Sequence, residues 1–268
     1  MARKLEVVQI KSRLHSRKEP TDYILIAAAV LNELAWLVNK IDRPVALTVG
    51  RRRVISGYLN GRPVKLLVTG PGIANTVQAL SAVIEKFRPA LIIQTGSAGL
   101  FTGFNLDIGD VGIATEEILP ELGIESENGT LPLGELPFPL FKAGSFEVKN
   151  RFPLDEKLAD LAFGRLTEGC KANGMGLKKG TFITVSTITA TNNRADELYN
   201  CFKPCMENME GSGAAHVSIY YGIPFLEIRA ASNIAGTRDK TAWDLPLACE
   251  RCAWAVYELI CNLHGYIF

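Results

Sequence analysis

The sequence has no excess of either charge. Its 29 Lys and Arg side chains are balanced by 28 Asp and Glu side chains. A protein that binds nucleic acid needs a marked basic excess to neutralise phosphates, so this balance argues against nucleic acid as a partner. It also gives no reason to expect binding to an anionic membrane surface.

Long apolar runs are also missing. The longest candidate, residues 23–31, is too short to span a bilayer and is followed by Asn32 and Glu33. The basic residues 1–20 lack the apolar core of a signal peptide. We therefore predict a cytoplasmic protein with an N-terminal basic arm at residues 1–20 and a single domain at residues 21–268.

Cysteine is modest in number, with six residues in the chain. Without a secretion signal these are expected to be reduced thiols. Cys201 and Cys205 could form a zinc site with Cys249 and Cys252 on paper, but the second pair lies in a helical pattern and no histidine completes the set. Structural thiols are the favoured interpretation. We predict no metal and no cofactor.

Strand and helix patterns alternate along the chain. Apolar runs at 23–29 and 91–94 predict buried strands, residues 76–87 have the spacing of an amphipathic helix, and Asn60-Gly61 predicts a hairpin turn. The repeated order predicts an α/β fold with three layers, α/β/α, around a central, mostly parallel, mixed and twisted sheet. Residues 125–146, rich in Gly, Pro and Glu, predict a long excursion or lid.

Polar or glycine-rich segments follow four of the predicted strands, where α/β folds place their sites. They are AAVLNE (28–33), GPGIAN (70–75), TGSAG (95–99) and ENMEG (207–211), with RAASN (229–233) after one more helix. Alone, each is weak, and the loop at 70–75 is interpreted as a turn because it lacks the lysine of a P-loop. Glu210 stands out, since a partly buried carboxylate there needs donors such as sugar hydroxyls.

Together and in this order, these segments resemble the superfamily of purine nucleoside phosphorylases and methylthioadenosine/adenosylhomocysteine nucleosidases. The resemblance covers residues 22–262, and its most specific parts are QTGSAG (94–99), NMEG (208–211) and PFLEIRAASN (224–233). The continuation at 231–248 is most similar to the futalosine hydrolase branch, which releases hypoxanthine from futalosine on a route to menaquinone. The resemblance implies a nucleosidase-like catalytic domain, a small-molecule purine nucleoside as partner, and a homo-oligomer.

The resemblance also implies roles for individual residues. Glu33, four positions after Ala29, matches the carboxylate that activates water beside the anomeric carbon. Glu210 matches the glutamate that accepts both ribose hydroxyls, and Met209 would pack on the sugar. The further predicted substrate-binding residues are Asn208, Gly96, Ser97 and Ala98, with TGSAG as a turn that faces the ribose or the water.

The choice between hydrolysis and phosphorolysis depends on the loop after the first strand. Phosphorylases of the superfamily carry a Gly-rich, Arg-bearing phosphate loop there, which this sequence lacks. A glutamate near the anomeric carbon would also repel phosphate. Hydrolysis is therefore favoured. Phosphorolysis, a methylthioadenosine-type nucleosidase reaction and a binding protein without turnover are the alternatives, and Glu33 argues against the last.

Asn233 is the main departure from the superfamily pattern. The methylthioadenosine nucleosidases have Asp there, which protonates the leaving purine. An Asn cannot donate a full proton, but its carboxamide offers a donor and an acceptor that suit a 6-oxopurine. We predict that Asn233 acts with Glu33 in catalysis and favours hypoxanthine or guanine over adenine.

The benzoate of futalosine requires a cation or several N–H donors. Arg238, Arg194 and Lys240 are candidates, and the sequence does not choose among them. Arg229 is expected instead to support its loop by pairing with a carboxylate, for which Asp239 and Asp244 are candidates.

Overall fold

The structure is a computed structural model that describes residues 22–124, 136–236 and 239–263 of the 268-residue chain. The predicted arm at 1–20 and half of the predicted excursion therefore lie outside the described residues. The described part forms a large mixed sheet with helices on both faces. The predicted α/β class is confirmed.

Six α-helices are described, and polar residues cap three of their starts. Asp155, Thr191 and Asp244 each accept a hydrogen bond from a backbone N–H in the first turn that follows. None of the described helices has the length and hydropathy needed to cross a bilayer. The helices are α1 (Leu31–Lys40), α2 (Ile73–Lys86), α3 (Glu156–Ala172), α4 (Asn192–Phe202), α5 (Gly211–Tyr221) and α6 (Leu245–Asn262).

Twelve strands are described, and most coincide with predicted apolar runs. They are β1 (Ile24–Ala28), β2 (Asp42–Val49), β3 (Arg52–Leu59), β4 (Arg62–Val68), β5 (Leu91–Leu100), β6 (Val111–Ile118), β7 (Phe141–Ala143), β8 (Phe146–Val148), β9 (Arg151–Pro153), β10 (Leu177–Thr184), β11 (Met206–Asn208) and β12 (Phe225–Ile234). Asn60 and Gly61 have φ values of 46° and 77° and close the hairpin between β3 and β4, as predicted.

The main sheet has the order β11-β10-β6-β12-β5-β1-β4-β3-β2. The strands around β1 are parallel. Strand β1 pairs in parallel with β4 on one side and with β5 on the other, and β5 pairs in parallel with β12. The β2–β3–β4 meander and the β6–β12 pair are antiparallel. The sheet is therefore mixed.

Strand β11 closes part of this sheet into a ring. It pairs in parallel with β10 and in antiparallel with β5, so β5, β12, β6, β10 and β11 form a closed path. The sequence did not predict this closure, because a three-residue strand carries too little pattern to reveal two partners. Closure brings the ENMEG segment beside TGSAG.

Alternation along β1 shows why the sheet has a helical layer on each face. Ile24 and Ile26 pack in one apolar cluster with residues of α1, α3 and α6, whereas Leu25 and Ala27 pack in another with residues of α2 and α5. Both faces of a central strand are therefore buried, which is why β1 reads as a continuous apolar run.

Candidate active site

The candidate site lies where β5 changes neighbours. Strand β1 pairs with β5 only as far as Gln94, and β11 joins the same strand at Gly99 and Leu100. In the described sheet, one edge of β5 therefore has no partner strand at residues 95–98, while the other edge pairs with β12. The segment TGSAG continues the strand rather than forming the predicted turn, so that expectation was wrong in its local structure.

Glu33 fills this gap in the sheet. Its Oε1 accepts hydrogen bonds from the backbone N–H and the hydroxyl of Ser97, at 3.0 and 3.1 Å. Its Oε2 accepts from the N–H of Val30, at the start of the same helix, at 3.1 Å. The side chain is only 4% exposed. A β-carbon at Gly96 would lie 2.6 Å from Oε1, so glycine is required for this close approach.

Glu210 comes from the opposite side of the same cavity. One carboxylate oxygen accepts the N–H of Gly72 at 2.9 Å, and the other accepts two guanidinium N–H groups of Arg229, both at 3.2 Å. Residues 70–72 form a turn, as predicted, while residues 73–75 already belong to α2. The N–H of Gly72 in this turn also helps to fix a carboxylate. A carboxylate has about four acceptor sites, so Glu210 retains capacity for a ligand hydroxyl.

Arg229 is a buried cation held between carboxylates. Its Nε donates to Glu227 at 2.8 Å, in addition to the two hydrogen bonds to Glu210. Burial would lower the pKa of Arg229, but the charges of Glu227 and Glu210 outweigh it and raise that pKa. The predicted pairing with a carboxylate is therefore correct and the predicted partners are wrong. Asp239 caps the 3-10 helix Lys240–Ala242, and Asp244 caps α6.

A second buried carboxyl lies behind this ion pair. Glu117 accepts hydrogen bonds from the hydroxyl of Thr184 at 2.7 Å and the amide of Asn208 at 2.6 Å. Burial, and then the charge of Glu227, raise the pKa of Glu117 well above its usual range. The charge of Arg229 opposes the same rise in the pKa of Glu227, so Glu117 is the member of the Glu117–Glu227 pair that is harder to ionise.

Asn208 connects this network to the helix that follows. Its Oδ1 accepts the backbone N–H groups of Glu210 and Gly211, at 2.9 and 2.7 Å, and its Nδ2 donates to Glu117. The side chain thus fixes the backbone that carries Glu210, just before α5. It lies at the cavity wall, with its amide hydrogen-bonded within the protein.

Asn233 follows a bulge in β12. The pairing of β12 with β5 shifts register between Ala231 and Asn233, which leaves Ser232 as the extra residue. The Ser232 hydroxyl donates to Asn233 Oδ1 at 2.8 Å. The bulge places both side chains at the cavity, and Asn233 is partly exposed there.

Seven of the predicted residues line one cavity: Glu33, Ser97, Ala98, Asn208, Met209, Glu210 and Asn233. Gly96 lies behind Glu33. A larger depression of about 540 Å³, lined by Asp42, Arg43, Tyr58 and Gly61, contains none of these predicted residues. The walls of the candidate site also include five side chains that were not predicted from the sequence: Val185, Ile188, Glu207, Trp243 and Leu245.

Glu207 is the most consequential of these omissions. It is 5% exposed, and burial raises its pKa to about 7 against the opposing effects of Thr189 and Arg194. The sequence signal that could have selected Glu207 is an acidic residue inside a short strand, between Met206 and Asn208. Acidic side chains are rarely buried unless they are paired.

The structure does not select among the three cations predicted to bind a substrate carboxylate. Arg194 lies in α4 and forms an ion pair with Glu197 at 2.8 Å, although its charge reaches Glu207. Lys240 is exposed in the 3-10 helix. Arg238 lies outside the described residues. The cysteines are thiols, and no group of three or more His, Cys, Asp or Glu side chains suited to a metal occurs in the described ranges.

Comparison with known proteins shows the family of the chain. The model of the phosphorylase superfamily matches residues 23–263. The chain belongs to this superfamily. Futalosine hydrolase of Thermus thermophilus is 32% identical over 207 residues, which cover 77% of this chain and 85% of that protein. The 5'-methylthioadenosine/S-adenosylhomocysteine nucleosidase of Bacillus cereus is 30% identical over 82% of this chain and 90% of its own.

Solved structures show the same fold. The futalosine hydrolase of Helicobacter pylori superposes with a TM-score of 0.77 at 19% identity, covering 91% of this chain and 99% of its own. The nucleosidase of Neisseria meningitidis in complex with methylthio-immucillin-A has a TM-score of 0.76 at 23% identity, covering 90% and 99%. Within the superfamily, the chain is a nucleosidase, an enzyme that hydrolyses N-glycosidic bonds.

Proposed function

We propose that this nucleosidase hydrolyses the N-glycosidic bond of futalosine and releases hypoxanthine, a step on a route to menaquinone. The observation that carries the hydrolytic part is the position of Glu33. Its carboxylate occupies the open edge of β5 and takes the N–H and hydroxyl of Ser97. An anionic phosphate at this edge would need N–H and O–H donors, and Glu33 already occupies these two. Glu33 therefore leaves room for water and repels phosphate.

Glu33 also has the chemistry to activate that water. Three hydrogen bonds fix its carboxylate, so it is oriented before substrate arrives. An ionised carboxylate can take a proton from a water molecule on the anomeric carbon's face. Its negative charge also stabilises the oxocarbenium-like transition state of glycoside cleavage.

Glu210 is proposed to bind the ribose hydroxyls. Arg229 and Gly72 fix its two oxygens and leave acceptor capacity toward the cavity. Met209 lines the same wall and would pack its thioether on the sugar, with Ser97 and Ala98 of β5 beside it. Gly96 and Asn208 act through Glu33 and Glu210 respectively, since they place those carboxylates.

The proposed base is a 6-oxopurine because of Asn233. Its amide, held by Ser232, offers a donor and an acceptor. The proposed preference for futalosine over methylthioadenosine, the substrate in the names of relatives at 28–30% identity, rests on this residue. The futalosine carboxylate would be bound by Arg194, released from Glu197, or by Arg238.

We also propose that the enzyme is a homo-oligomer that buries the rim of the cavity. Val30, Ile188 and Leu245 line the cavity and are 44%, 38% and 44% exposed, which is unusual for large apolar side chains at one opening. Sedimentation velocity should give a multiple of the 29.2 kDa chain mass. A monomer at micromolar concentration would contradict this expectation.

Base release from futalosine in phosphate-free buffer, followed by chromatography, tests the proposed reaction. We expect free hypoxanthine from the native enzyme and a loss of at least about 100-fold in kcat for Glu33→Gln. Glu85→Gln is the matched control, since Glu85 is exposed on α2 and bonds Tyr221. Cleavage that requires phosphate or arsenate would refute hydrolysis. Release only from inosine, guanosine, methylthioadenosine or aminofutalosine would refute the substrate.

A further inference from the structure

Hydrolysis of a purine nucleoside needs a proton donor for the base as well as a base for the water. The purine leaves with the electron pair of the glycosidic bond, and protonation in the transition state makes it a better leaving group. The amide of Asn233 cannot supply that proton. The cavity must therefore supply it from another side chain or from solvent.

Glu207 is placed beside Asn233 by the closure of the ring. Gly99 of β5 pairs with Asn233 of β12 on one side and with Glu207 of β11 on the other. Residues paired across neighbouring strands point to the same face of a sheet. Glu207 and Asn233 therefore flank Gly99 on the cavity face, and both line the cavity.

The missing side chain of Gly99 gives the Glu207 carboxyl its position. A β-carbon at Gly99 would lie 2.9 Å from Glu207 Cγ and 3.3 Å from Oε1. The Glu207 side chain thus lies over Gly99, the residue that pairs with Asn233 of β12 on its other side. Any larger residue at position 99 would push the carboxyl away from the base side of the cavity.

Among the described residues, only one oxygen of the Glu207 carboxyl has a hydrogen-bond partner of good geometry. Oε1 accepts the backbone N–H of Thr189 at 3.4 Å. Oε2 is buried and has no hydrogen-bond partner of good geometry in the described ranges. A buried carboxyl oxygen without a partner is costly, and a bound ligand atom would satisfy it.

We propose that Glu207 is the general acid that protonates the departing purine, beside an Asn233 that only orients it. This inference rests on the proposed hydrolysis of a nucleoside. In the step, the C1′–N9 bond breaks, its electron pair passes to the purine, and the proton on the Glu207 carboxyl is transferred to the purine. Glu33 takes the proton of the water that bonds to C1′. Solvent then returns a proton to Glu207 and removes one from Glu33.

The electrostatic surroundings of Glu207 suit this role. Burial raises its pKa to about 7, while Thr189 and the charge of Arg194 on α4 lower it and the charge of Glu121 after β6 raises it. At neutral pH the group is therefore divided between its acid and its carboxylate, which is the condition for efficient proton transfer. The protonated fraction, and with it the rate, should fall as pH rises through about 7.

Glu207→Gln tests the role with two substrates that differ in the leaving group. On futalosine, or on whichever nucleoside the native enzyme cleaves, we expect kcat to fall at least about 100-fold with KM within about threefold. On p-nitrophenyl β-D-ribofuranoside, whose leaving group departs as an anion without a proton, the loss should stay below about tenfold. The exposed Glu85→Gln variant controls for the chemical change.

The pH profile gives an independent readout. Native kcat/KM should decline above pH 7, the decline should be absent in Glu207→Gln, and Glu207→Asp should recover part of the rate together with the decline. Equal losses on both substrates, or a Glu207→Gln rate within about tenfold of native on the nucleoside, would overturn the assignment of Glu207 as the acid. Either result would leave the proposed hydrolysis standing. A native enzyme that releases no base from any nucleoside would overturn the proposed function and this inference with it.

Discussion

Replacing Arg229 with Met should remove the cation that is paired with two buried carboxylates, Glu210 and Glu227. Arg229 is 1% exposed and donates to Glu227 at 2.8 Å and twice to Glu210 at 3.2 Å, while both acids are also buried. Met retains most of the side-chain volume, so the change leaves two uncompensated carboxylates rather than a large cavity. Breaking a buried pair in this way costs about 3–5 kcal/mol.

That cost translates into a measurable fall in melting temperature. For a domain near this size, 1 kcal/mol corresponds to about 2–4 °C, so Tm should fall by about 6–20 °C at pH 8. Arg151→Met is the matched control. Arg151 pairs with Glu116 at 2.9 Å but is half-exposed, and such surface pairs contribute about 0–1 kcal/mol.

The fall in Tm caused by Arg229→Met should also depend on pH, in a direction set by the raised pKa of Glu227. Burial raises the pKa of Glu227 and the charge of Arg229 opposes that rise. Without the cation, the folded-state pKa rises further above the unfolded value of about 4.3. A raised carboxyl pKa favours folding while the group is protonated, and that contribution is lost as pH rises. Scanning calorimetry should therefore show a smaller deficit at pH 5 than at pH 8. A Tm within about 2 °C of native at pH 8, or an equal deficit at both pH values, would refute this account.

Three further changes test other parts of the structure. Gly211→Ala would place a β-carbon 2.2 Å from Glu117 Oε1 and should cost about 1–3 kcal/mol in urea unfolding, whereas Gly164→Ala within α3 meets nothing within 4 Å and should be neutral or slightly stabilising. Equal effects of the two changes would contradict the crowding at Gly211. Glu210→Gln should weaken nucleoside binding at least about tenfold in calorimetry while free hypoxanthine binds as before, since only the sugar contact is lost; equal losses for both ligands would place Glu210 elsewhere. Asp244→Ala should lower stability by about 1 kcal/mol through loss of the α6 cap, and an unchanged urea midpoint would contradict it.

The fold was largely predictable because its central strands are buried on both faces. The apolar run of β1 and the amphipathic spacing of α2 arise directly from that burial. Closure of the ring was not predictable, because β11 is a three-residue strand whose second partner is set by tertiary packing. The same limit explains why TGSAG was expected to turn: glycines favour turns, but here Gly96 and Gly99 make room for Glu33 and Glu207.

Site residues that lie in a family motif could be predicted from the sequence. Residues whose role depends on side chains from other elements of the fold could not. Glu33 and Glu210 were selected from the resemblance, and the structure places both at one cavity. The partners of Arg229 were misjudged. Glu227 lies two residues before it on the same face of β12, and Glu210 reaches it through tertiary packing of the segment before α5. Glu207 was passed over because its environment comes from Gly99 and Thr189 on other elements.

The ring that β11 completes has a consequence for how the molecule acquires its activity. The hydrogen bond from Gly72 to Glu210 joins residues 138 positions apart, and the β11–β5 pairing links segments more than a hundred residues apart. Contacts of such long range form late, because the entropy of loop closure must be overcome first. A refolding chain should therefore recover its helical signal well before it recovers catalysis. The working cavity is then a product of the final docking event, and a bound nucleoside should slow unfolding by holding that last junction closed.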